Sequence, residues 1–115
     1  MMTNYKSILL FLLAAFMGAL GQYLYKTGAE QSSGNLILLV SNFRVLLGIL
    51  CYLIIMVLFL FAFKLGGALT VLYPVYATTF IWALLIGFFF LGEKVTLVQI
   101  IGVLLIVLGV YLIAR

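Results

Sequence analysis

Few side chains in this sequence can do chemistry. Six lysines and arginines and two acids carry all the charge in 115 residues, histidine is absent, and the one cysteine is Cys51. The two acids, Glu30 and Glu93, stand at the ends of apolar runs, so no carboxylate lies inside a run to carry a proton across it. No nucleophile is paired with a base, and no glycine loop leads into Lys-Ser/Thr to cradle a nucleotide phosphate. A lone cysteine without histidine leaves no ligand set for a metal. The sequence therefore predicts no catalytic residue, no metal and no cofactor: a protein that is not an enzyme.

What remains is binding chemistry, made of amides, hydroxyls and single cations. At about 100° per residue, Ala14, Gly18, Gly21, Gln22 and Tyr25 fall on one helix face. The small residues Ala14, Gly18 and Gly21 let another helix approach, which puts Gln22 in a crowded interior with Lys26 one turn on, at the edge. Either Gln22 lines a cavity, or it glues helices while Lys26 snorkels to headgroups. A second face carries Thr70, Tyr73, Tyr76, Ala77 and Phe80. Its hydroxyls could line a substrate path or simply pack. Trp82 falls on the opposite side, as packing or lipid contact, and Pro74 removes a donor and predicts a kink. A third face carries Gly102 and Gly109, close to two turns apart, with Gln99 and Ile106 beside them. That is a contact groove, within the chain or between subunits.

The elements that hold these faces follow from the apolar runs. The composition is 69% hydrophobic and 7% charged, more apolar surface than so short a soluble chain could hide. The charges bracket runs at 7–25, 45–63, 65–92 and 95–114, each long enough for the roughly 20 residues that cross a bilayer as helix. We expect one all-α membrane domain over 1–115, with helices near 7–26, 45–63, 68–91 and 95–114 and a turn at Gly66-Gly67. Residues 27–42 hold Gly28, Ser32, Ser33, Gly34 and Asn35 and read as a loop with a short interfacial piece at 36–40. Ala19-Leu20-Gly21 resembles a signal-peptide cleavage site, but the polar face of the first run continues past it. No basic cluster suits nucleic acid, so the phosphates expected near the cations are those of lipid headgroups. With four spans, Lys6, Lys64 and Arg115 share one side and Lys26, Arg44 and Lys94 the other. This three-to-three balance sets no orientation by the positive-inside rule. Either a partner or lipid decides, or the chain inserts both ways.

The order and spacing of these features resemble a half-size, four-helix member of the drug/metabolite transporter superfamily. Gly21-Gln22-Tyr23-Leu24-Tyr25-Lys26 resembles the Gly-x-x-x-x-Lys end of helix one in small multidrug resistance transporters, and residues 101–110 resemble their glycine-spaced helix four. The resemblance covers essentially the whole chain and implies a dimer held at Gly102, Ile106 and Gly109. Those transporters carry a glutamate four residues before the motif glycine. Here that position falls at Met17–Gly18, without an acid, which speaks against proton-coupled export of cationic drugs. Tyr73-Pro74 with Phe80-Ile81-Trp82 is similar instead to the small subunits of the aminoarabinose–phosphoundecaprenol flippase. That likeness implies a lipid-phosphate-linked or other amphipathic substrate. The predicted cavity residues are Gln22, Tyr25, Thr70, Tyr73 and Tyr76, with Lys26 and Arg44 meeting a phosphate. The expected partners are the bilayer, the substrate and a second copy or paralogous four-helix subunit, in a prokaryotic inner membrane. A drug-like small-molecule substrate and a non-transporting membrane subunit are the alternatives.

Overall fold

Asparagine opens three of the helices. The side-chain oxygens of Asn4, Asn35 and Asn42 accept from the backbone N–H two residues on, at 2.9, 2.8 and 2.9 Å. Thr96 and Gln99 close a reciprocal capping box, at 2.9 and 3.2 Å. A computed structural model describes residues 4–32 and 34–115. The elements are α1 (Tyr5–Gln31), α2 (Leu36–Ser41), α3 (Phe43–Lys64), α4 (Leu69–Tyr76), α5 (Thr79–Phe90) and α6 (Leu97–Ala114). No strand occurs among the described residues. Among the described residues, four stretches are long and apolar enough to cross a membrane: α1, α3, α4 with α5 (Leu69–Phe90), and α6. The chain is an all-α membrane protein.

Two boundaries differ from the sequence reading. The expected loop begins at residue 27, yet α1 runs on to Gln31. Thr27 Oγ1 donates back to the Tyr23 carbonyl at 2.9 Å, Ser32 Oγ donates to the Gly28 carbonyl at 3.0 Å, and Gly28 is buried against Asn42 and Val45. The polar residues end the apolar run, and tertiary packing carries the helix beyond it. Ser33, placed in the loop from sequence, lies outside the described residues. The third span is two helices. Its N–H groups at Ala77, Thr78, Phe80 and Ile81 bond three residues back, at 2.9 to 3.1 Å. Thr78 Oγ1 also takes the Val75 carbonyl, at 2.9 Å. The break at Ala77–Thr78 coincides with the Thr78 hydroxyl that competes for the Val75 carbonyl, while Pro74 leaves the Thr70 carbonyl without its helical donor one turn earlier.

The largest buried side chains gather toward one end of the molecule. At the Lys6 and Lys64 end, Phe11, Ala62, Leu72 and Val75 form the buried core, and Phe11 stacks on Phe59 with centroids 4.3 Å apart. Ser7 Oγ donates to the Ala62 carbonyl at 2.8 Å and ties α1 to α3 there. Val110 of α6 packs against this core, and no residue of α6 is fully buried. Lipid tails are as apolar as these side chains, so van der Waals fit rather than apolar burial holds the helices. The molecule is only 18 Å across its thinnest axis, about two helix diameters.

Candidate functional site

The inner face of α1 decides where a site can be. Phe11, Ala15 and Gly18 follow one another along it and are buried, while Gln22, next in line, is exposed. Its neighbours explain the difference. On one side Gly21 and Gly28 lie against α3; on the other Phe16 meets Trp82 and Tyr23 meets Phe90, at 5.0 and 6.3 Å between ring centroids. Between these two walls the bundle opens, and Gln22 sits in the gap.

A polar chain lines the gap. Gln22 Nε2 donates to Tyr52 Oη at 2.6 Å, and Tyr52 Oη donates to the Gly18 carbonyl at 3.4 Å. Tyr25 stacks on Tyr52, with centroids 5.4 Å apart and planes 7° from parallel. The hydroxyl of Tyr76 lies against Gly18 from the α4 side. Three glycines make room for three tyrosine rings: Gly18 for Tyr76, Gly21 for Tyr52 and Gly48 for Tyr25. A Cβ on Gly21 or Gly48 would come within 2.9 or 2.6 Å of its ring.

Above Gln22, Lys26 Nζ lies 3.3 Å from Glu93 Oε2, both side chains about half exposed. Glu93 reaches helix one because the α5–α6 connection folds back. Gly92 takes φ +67°, a left-handed turn open to glycine at no cost, and the Glu93 N–H donates to the Gly87 carbonyl at 2.9 Å. The Glu93 side chain then rests on Gly87, where a Cβ would strike it. Gln22, Lys26, Glu93, Tyr23, Ala83 and Ile86 line a cleft of about 140 Å³.

The remaining residues singled out from sequence lie elsewhere. Tyr73 stacks on Tyr76 at 6.3 Å but is 61% exposed, and Thr70 is exposed near the Lys64 end. Arg44 is half-buried and donates from Nη1 to Thr27 Oγ1 at 3.3 Å, so it braces α3 on α1 while Lys26 turns to Glu93. Ala14, Gly18 and Gly21 are buried. Among the described residues, nothing beyond the adjoining turns of α6 comes within 4 Å of a Cβ placed on Gly102 or Gly109. Gly102 and Ile106, with Phe80 and Gln99, border an open groove of about 430 Å³ between α5 and α6.

Two members of the site escaped the sequence reading. Tyr52 is the one hydroxyl in the run 45–63, which was signal enough to single it out. Glu93 is one of two acids, placed by the four-span topology on the same side as Lys26. The arrangement offers an amide, hydroxyls and a half-exposed ion pair to a polar or charged group. Residues 41–115, from the end of α2 through α6, match the EamA-like transporter family. No curated protein and no solved structure matches the chain.

Proposed function

Since this chain belongs to the EamA-like transporter family, we propose that it works as a pair of four-helix subunits that moves an amphipathic or lipid-phosphate-linked substrate across the membrane by alternating access. The observation that carries this reading is Gln22. It is an amide within a spanning helix, exposed on the inner face and bonded to Tyr52. Such a group is costly against lipid and useful against a substrate. The break at Ala77–Thr78 adds a place where the third span can flex beside Tyr76. Pairing is supported by the thin bundle and the uncovered Gly102 and Gly109. The three-to-three cation balance is compatible with subunits of opposite orientation.

The test is leaflet exchange of a fluorescent polyprenyl phosphate in proteoliposomes, read by an impermeant quencher. The purified protein should speed exchange over protein-free vesicles, and Gln22→Leu should remove most of the gain. Exchange no faster than in empty vesicles would end the reading. A water-soluble small molecule is the second candidate, favoured by the small volume of the cleft, about 140 Å³. It would show as uptake of solute with no exchange of lipid.

A further inference from the structure

The charged cleft has a neighbour across Tyr23 and Ile86. A second, almost wholly apolar groove of about 340 Å³ runs along the outside of α1 and α5, lined by Phe16, Leu20, Tyr23, Ile86 and Phe90. Tyr23 and Ile86 line both, so the two lie side by side. Their order along α1 is Lys26, Tyr23, Leu20, Phe16, which at 1.5 Å per residue descends about 15 Å from the span's edge toward its middle. A cation at the edge with an apolar channel running down from it has the layout of an amphiphile lying in one leaflet.

The cation is already occupied. Its partner Glu93 is held by its own loop, through the Gly92 turn, the bond to the Gly87 carbonyl and the seat on Gly87. Lys26 is the mobile member, a charge on a four-carbon stem that can swing toward Gln22. The pair is half exposed, and pairs of that kind are weak enough for an incoming anion to displace.

We propose that Lys26 and the Phe16–Phe90 groove form one site, open sideways to the bilayer, for a single-chain amphiphile with an anionic head, and that Glu93 is the resident anion which holds Lys26 until that head arrives. This rests on the transporter reading and gives its substrate a place to enter.

The probe is dodecyl phosphate with a photoreactive diazirine at the chain end, offered to the protein in phosphatidylcholine nanodiscs, with labelled residues mapped by mass spectrometry. Label should fall on Phe16, Leu20, Ile86 or Phe90. Lys26→Gln should cut it by about tenfold or more, the loss of one charge-assisted contact. Glu93→Gln and Gly87→Ala remove the resident anion in two different ways, and each should raise labelling by about two- to fivefold. Unlabelled dodecyl phosphate should compete, and inorganic phosphate at the same concentration should not. Label spread over the lipid face of α3 and α6, label indifferent to Lys26→Gln, less label in Glu93→Gln, or equal competition by free phosphate would each overturn the proposal. Leaflet exchange on the same preparations separates the two readings. Exchange without Lys26-dependent label removes this site and keeps the transporter, whereas groove label without exchange keeps the site and removes the transporter.

Discussion

If Tyr52 holds Gln22 in the cleft, removing one hydroxyl should loosen both. In Tyr52→Phe the ring keeps its stack on Tyr25 and its seat on Gly21, so the change isolates the oxygen. That oxygen makes a 2.6 Å contact with Gln22 and a long 3.4 Å one with Gly18, and the short bond should dominate. Side-chain hydrogen bonds between membrane helices average about 0.6 kcal/mol and reach about 1.7 kcal/mol. We therefore expect Tyr52→Phe to cost about 1 kcal/mol and the Gln22→Leu/Tyr52→Phe cycle to give a coupling of about 0.6 to 1.7 kcal/mol. Reversible unfolding of the four proteins in mixed micelles measures it. Leaflet exchange should follow the same pattern, with Tyr52→Phe slowing transport and adding little once Gln22 is gone. A coupling below about 0.3 kcal/mol, the scatter of independent sites, would mean that the contact holds nothing.

Three other outcomes are expected. A Cβ at Gly28 would come within 2.8 Å of Asn42 Oδ1 and Val45 Cγ2 and 3.1 Å of the Val45 backbone nitrogen, so Gly28→Ala should part α1 from α3 and cost about 1 to 3 kcal/mol by the same unfolding assay. Gly109→Leu should turn a dimer into a monomer in detergent, by light scattering; a variant that stays dimeric would remove the Gly102/Gly109 face as the subunit contact. Single cysteines at Asn35 and Arg115, in a Cys51→Ser background, should each be labelled in part by an impermeant maleimide on intact cells, the result expected of a chain that inserts both ways. All-or-none labelling would point to one orientation and to a paralogous partner.

The spans were legible because lipid imposes a simple rule on composition: apolar runs between single charges are helices of fixed minimum length. What was not legible followed from tertiary contacts. Gly28 and Asn42 looked like loop residues by type, but Gly28 is where α3 meets α1, and Asn42 is the cap that starts α3. The third span read as one helix with a kink at Pro74, and the added effect of Thr78 on the Val75 carbonyl made it two. In the cleft, Gln22 and Lys26 could be picked from α1 alone. Their partners Tyr52 and Glu93 come from positions 30 and 67 residues further on, beyond the reach of any one-helix face.

The glycines of α1 show how one pattern can serve two ends. Read from sequence, small residues on a helix face mean that a second backbone comes close. Here Gly48 lies near the Gly21 carbonyl, with 3.1 Å from its built Cβ, so that approach is present. Yet at Gly18, Gly21 and Gly48 the nearest atoms belong to tyrosine side chains. Each missing side chain on one helix is the seat of a large amphipathic one from another. The glycine stripe and the tyrosines, which the sequence presents as separate features, are thus one construction. It keeps the walls of the bundle close at the Phe11 end and brings hydroxyls to the gap at the Gln22 end. A bundle packed only for stability would fill that gap with leucine and leave no amide in it. The polar groups set between Tyr76 and Lys26 depart from that economy, as the proposed transport role requires.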